Sequence, residues 1–107
     1  MELSAWFKVK FDEKSIYLDV RPPNREGWDA EIHWQDIVRI CFVPGSLFEP
    51  DDIYIFIKQR PESFVIPTEA DGAANLWSQI INRGLFDAKL AIEAATSTEG
   101  LFCWPPD

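Results

Sequence analysis

The sequence predicts an α+β fold: a bent antiparallel sheet or partly open barrel of about six strands, followed by one or two C-terminal helices. Three observations carry this. The block from Trp34 to Gly84 runs WQDIVRICFVP, DDIYIFIKQR and SFVIPTEADG into NLWSQIINRG, so strand-like runs deliver the chain into an amphipathic helix. Upstream, residues 5–11 and 16–20 alternate apolar and polar with a period of two. The chain of 107 residues is one domain, residues 1–107, and suffices for a single core without staples.

The elements follow in order. Phe7, Val9 and Phe11 face one way and Lys8 and Lys10 the other. Asp12-Glu13-Lys14 makes the turn, and Ile16, Leu18 and Val20 line a second strand opposite Tyr17, Asp19 and Arg21, completing a hairpin. Residues 22–27 hold two prolines and a glycine and form a loop. Trp28, Ala30, Ile32 and Trp34 alternate with Asp29, Glu31 and His33 in a third strand that sets both tryptophans on one face. After Gln35-Asp36, residues 37–43 form a strand mixed on both faces and therefore central. Pro44-Gly45-Ser46 ends it, and Leu47 and Phe48 anchor a loop over residues 47–52. Ile53, Ile55 and Ile57 oppose Tyr54, Phe56 and Lys58 in a fifth strand, again central. Residues 64–66 form the sixth, and Pro67 stops it.

Thr68-x-x-Asp71 has the form of a capping box, in which side chain and backbone satisfy each other's orphan groups. Ala73, Leu76, Trp77, Ile80 and Ile81 then make a helical stripe, with Gly84 as the residue that ends it. Asp87 caps a second helix over 88–96, with Ala88, Ala91, Ile92 and Ala95 on one side. The tail LFCWPPD carries Leu101, Phe102 and Trp104, anchors that a free tail would not keep, so it is expected to dock.

Composition excludes more than it selects. Hydrophobic residues make up 47% and aromatics 14%, which rules out disorder. The net charge of −8 repels phosphate backbones and anionic headgroups. Lys8, Lys10 and Lys14 are the nearest approach to a basic patch, and Asp12 and Glu13 interrupt it. Neither nucleic acid nor a membrane is an expected partner. An acidic surface suits a basic protein partner, and it also serves plain solubility. Cys41 and Cys103 match no zinc or redox spacing, and Cys41, in a strand, is read as a small core hydrophobe rather than as half of a pair. The opening MELSAWFKVKFDEK lacks the apolar run of a signal peptide, and the longest purely apolar run is residues 53–57. A reducing cytoplasm is the expected compartment.

Chemistry is hard to find. His33 is the only histidine, with Asp36 three residues away; no G-x-S-x-G accompanies it, and it reads as an exposed strand histidine. One histidine and two remote cysteines give no zinc spacing, and Glu49, Asp51 and Asp52 lack the alternating pattern of a calcium loop. The five glycines lie singly, so no phosphate-cradling loop exists. No enzyme, cofactor or metal is expected. Three acidic groups remain: Glu26 with Trp28, Asp29 and Glu31; Phe48 with Glu49, Asp51 and Asp52; and Glu69 with Asp71. The last opposes a helix dipole. The first two combine acids with an aromatic, a common interface composition. Trp28, Asp29, Glu31, Phe48, Glu49, Asp51 and Asp52 are therefore the interface candidates.

The W-x-D-I run of Trp34, Asp36 and Ile37, with the Ile66-Pro67 step before the helix, resembles bacterial pleckstrin-homology-like domains. That resemblance covers residues 4–84 and implies a strongly bent antiparallel sheet closed at one end by a helix. The second helix and the aromatic tail depart from it, and it carries over no functional residue. In type alone, a small, acidic, Trp-rich single domain is similar to immunity proteins of polymorphic toxin systems. That likeness implies tight binding to a toxin, often a basic nuclease. The expected function is thus a non-enzymatic protein-binding module, of the kind that inhibits a basic toxin. The alternative is a pleckstrin-homology-like structural domain that self-associates as a homodimer.

Overall fold

The computed structural model describes residues 2–46 and 48–106, so the expected anchor Leu47 lies outside the described residues. In chain order the elements are β1 (Phe7–Phe11), β2 (Ser15–Val20), β3 (Trp28–His33), β4 (Ile37–Val43), β5 (Asp52–Ile57), β6 (Phe64–Pro67), α1 (Ala73–Asn82), α2 (Ala88–Ala95) and β7 (Phe102–Trp104). The class is α+β, as expected. The strands form two antiparallel sheets, β1-β2-β3 and β6-β5-β4-β7, which do not close into a barrel.

Local chemistry explains the first sheet. The Asp12 carboxylate accepts from the backbone N–H groups of Lys14 and Ser15 at 2.9 Å each and from the Tyr17 hydroxyl at 2.8 Å. Those donors favour the charged form and hold the carboxyl below its ordinary value. The turn fixes the register, Phe11 against Ile16 and Phe7 against Val20, so Val9, Leu18 and Ile32 fall on the core face. The third strand ends sooner than the alternation suggests. Trp34 enters a 3₁₀ turn, its indole N–H donates to the Asp12 carbonyl at 2.8 Å, and the Arg83 guanidinium lies 4.1 Å from its ring centroid. The two tryptophans therefore do not share a strand face.

The chain between β6 and α1 joins the sheets. Asp71 forms a parallel bridge with Lys8: its carbonyl accepts from Val9 N–H at 2.7 Å, and its N–H donates to the Phe7 carbonyl at 2.9 Å. This contact covers the β1 edge. It also replaces the expected capping box, because α1 starts from Gly72 with no side-chain cap. Gly72 has φ +87°, and a Cβ there would strike the Val9 carbonyl. Gly72→Ala is expected to destabilise the fold by about 1–3 kcal/mol, the cost of a non-glycine residue in the left-handed region. Urea unfolding measures it, and a parental midpoint would mean that the bridge does not form.

Helix α1 buries the expected stripe, with Ala73, Leu76 and Ile80 inside and Trp77 half-buried. Gly84 N–H donates to the Ile81 carbonyl and Leu85 N–H to the Ile80 carbonyl, a Schellman ending. Asp87 caps α2 by accepting from Leu90 N–H at 3.0 Å, also as expected. The α2 face is rotated from the expected one. Leu90, Ala91 and Ala94 pack inward, whereas Ile92 is 67% exposed.

The tail docks as a strand. Phe102, Cys103 and Trp104 pair with Phe42, Cys41 and Ile40, making β7 the edge next to β4 and leaving β4 and β5 central. Cys41 and Cys103 face each other directly, Cα atoms 4.0 Å apart, and form a disulfide. This corrects the reading of Cys41 as a free core cysteine. Pairing required the tail to return beside β4, which no local spacing encodes.

Candidate functional site

Sheet order decides which strand edges are open. Residues 70–72 cover β1, and Pro105 and Pro106 follow directly on β7, which discourages further pairing there. The remaining edges belong to β3 and β6. Among the described residues, 28–33 pair only with β2 and 64–66 only with β5. Between these edges lies a cleft of about 670 Å³ lined by Trp28, Asp29, Ala30 and Glu31 on one side and Arg60, Ser63, Phe64 and Val65 on the other.

The cleft has two chemistries. Trp28 and Ala30 belong to the core face of β3, and Phe64 to the core face of β6 opposite Ile55. Trp28 packs edge-on to Phe7, ring centroids 6.2 Å apart, yet stays 42% exposed. Asp29 and Glu31 point to the outer face. Asp29 sits 3.8 Å from the Arg21 guanidinium, itself 3.0 Å from Asp19. Both ion pairs are largely solvated and hold the acids only weakly. Arg60 lies over the Phe64 ring at 4.3 Å and donates from Nε to the Glu62 carbonyl at 2.9 Å, forming the rim of the far wall.

The second acidic group sits elsewhere, Glu49 and Asp51 on the loop from β4 to β5 and Asp52 as the first residue of β5, so the seven interface candidates form two separate clusters. Phe48 is 94% exposed. The Asp51 carboxylate is engaged within the loop, accepting from Gly45 N–H at 2.6 Å, while Thr68 N–H donates to the Asp51 carbonyl at 2.8 Å. Asp51 is a loop fastener more than a contact. Burial, helped by the charges of Asp51 and Glu49, pushes the Asp52 carboxyl up from its ordinary value. A raised folded-state value means that its contribution to stability is fully present below the ordinary carboxylate range and is lost as pH rises through the folded value. Asp52→Asn is therefore expected to gain stability over the parent as pH rises from acid to neutral. Urea titrations at the two pH values check this, and a difference independent of pH would rule it out.

His33 does not pair with Asp36, which sits 3.4 Å from Lys58 Nζ. Its Nδ1 lies 3.0 Å from the Ser15 hydroxyl, which also donates to Glu31 Oε2 at 2.8 Å. Register explains the meeting, since Ser15 lies opposite His33 across β2 and β3. The three residue types match a hydrolytic triad, but the geometry does not. Ser15 is 0% exposed, so a substrate carbonyl cannot reach it. The acid touches the serine rather than the second ring nitrogen, so nothing orients the imidazole as a base. The cluster satisfies a buried hydroxyl.

Another surface has no signal in the sequence. On the outer face of the second sheet, Val38, Arg39, Phe56 and Leu101 surround the Cys41–Cys103 bond in a hollow of about 510 Å³. The residue pattern puts apolar side chains on both faces of β4 and β5 and does not tell which face meets solvent. Among the described residues, no His, Cys, Asp and Glu group could hold a metal ion, and no helix is long and apolar enough to cross a membrane. No family model, no curated protein and no solved structure matches this chain.

Proposed function

We propose that this chain is a non-enzymatic protein-binding module of the immunity-protein type, which occludes the cationic surface of a basic protein such as a toxin. One observation carries the reading: Trp28, half-exposed, stands beside Asp29 and Glu31 on an unpaired strand edge bordering a cleft. An aromatic anchor flanked by solvated acids suits a desolvating contact with a cationic partner. The net charge of −8 supports long-range steering toward such a partner. The likeness to pleckstrin-homology-like domains is also a proposal, supported by antiparallel sheets followed by α1. So is the cytoplasmic placement, against which the Cys41–Cys103 bond weighs, because such bonds persist chiefly in oxidising compartments.

The test is retention of native-lysate proteins at low salt by the parent and by two double variants. Asp29→Lys with Glu31→Gln removes charge from β3 and keeps an acceptor for Ser15; Glu49→Lys with Asp52→Lys does the same for the loop and leaves Asp51 intact. A basic protein held by the parent, released by salt and lost from the β3 variant is the expected result. Retention unaffected by salt and by both variants would remove the acidic mechanism.

A further inference from the structure

We propose that the partner contributes an extended segment of alternating basic and apolar residues, which adds as a strand along the free edge of β3 in the cleft facing β6. The proposal rests on the protein-binding reading and specifies its mode and the chemistry of its ligand.

The backbone argues for strand addition. An unpaired edge presents N–H and C=O groups that an extended chain can meet, and side-chain pockets beside the edge then read alternate residues. Both walls of the cleft are such edges among the described residues. A strand laid there must alternate. Every second side chain turns toward Trp28, Ala30 and Phe64, the apolar part of a lining that also holds Ser63 and, over the Phe64 ring, Arg60, so apolar rather than basic residues suit these positions. The intervening ones turn outward, opposite Asp29 and Glu31, where cross-strand pairing favours Lys or Arg.

The same geometry argues against a second copy of this chain. Two β3 edges joined about a two-fold axis stay in one sheet with like faces together, so odd positions oppose odd positions. In the overlapping registers Asp29 then faces itself or Glu31, or Glu31 faces itself, and like charges directly opposite destabilise a pair. The acids that attract a basic strand therefore guard the edge against self-pairing.

The test uses the full chain and a synthetic peptide of alternating Lys and Val long enough to span the 6 residues of β3. Two controls accompany it: a Glu/Val peptide, and the Lys/Val peptide N-methylated at alternate residues, which keeps charge but removes ladder donors. Amide hydrogen exchange is read over residues 28–33 and 64–66, and affinity by titration. The expected result is slowed exchange along β3, binding about tenfold weaker to the Glu/Val peptide and to the Asp29→Lys variant, and loss on N-methylation. Equal binding of the N-methylated peptide, protection around residues 49–52 instead of β3, or no binding of any peptide would each overturn strand addition. The wider protein-binding reading is judged separately, by whether the lysate partner is lost from the β3 variant.

Discussion

Phe86→Ala is expected to lower the unfolding free energy by about 3–5 kcal/mol, the range for removing a large buried aromatic. Phe86 is 1% exposed and packs against Trp77 with ring centroids 4.9 Å apart, and Trp77 in turn meets Phe42 of β4 at 5.1 Å. The side chain thus continues a row of rings from the second sheet through α1 into the corner between the helices. The backbone holds it there, with Gly84 ending α1 on one side and Asp87 capping α2 on the other. A loss of that size shifts the melting temperature by more than about 10 °C in a domain near this length. Phe86→Leu keeps most of the volume and should cost less than about 1.5 kcal/mol. Trp77→Ala belongs to the same range as Phe86→Ala, toward its lower end because Trp77 is half-buried. Thermal melts of the three variants order these effects. A parental melt for Phe86→Ala would mean that the corner between α1 and α2 is not packed as described.

Phe86 illustrates what the sequence conceals. It sits alone between a helix stop and a helix start, where no period exists to mark it as core, although both flanking caps were legible. The inward face of α2 is obscured for a related reason. Four alanines in eight residues weight every face alike, so the period does not separate a face with Ile92 from one with Leu90, and tertiary packing selects Leu90, Ala91 and Ala94. The bounds of β4 and the start of α1's stripe were legible because β-branched runs and the 3.6-residue period are local signals. Pairing was not. Sequence proximity puts Asp36 near His33, whereas the neighbours His33 has, Ser15 and Glu31, come from strand register. Of the interface candidates, Trp28, Asp29 and Glu31 gained significance from sheet order, which leaves β3 at an edge, and alternation along a strand carries no record of which neighbour it lacks.

Reduction of the Cys41–Cys103 bond should cost about 4 kcal/mol. The bond closes a sequence separation of 62 residues, and a loop of that length removes roughly this much free energy from the denatured chain. Single domains have only about 5–15 kcal/mol in total, so the loss is large. The tail has little else to hold it. β7 makes three register pairs with β4 and ends at Pro105 and Pro106, leaving Phe102 and Trp104 as its remaining anchors on the core. Urea unfolding with and without reductant measures the effect, with a Cys41→Ala, Cys103→Ala variant as control. The parent should lose stability on reduction and the variant should not respond. A parent equally indifferent would mean that the thiols stay apart. The sheet order adds a functional consequence. β7 lies at the edge of the second sheet opposite β6, with β5 and β4 between them, so the cleft beside β6 does not include the bond. At temperatures where the reduced protein remains folded, peptide binding along β3 should survive reduction, whereas loss of binding there would show that the two sheets hold the cleft open only while the tail is fastened.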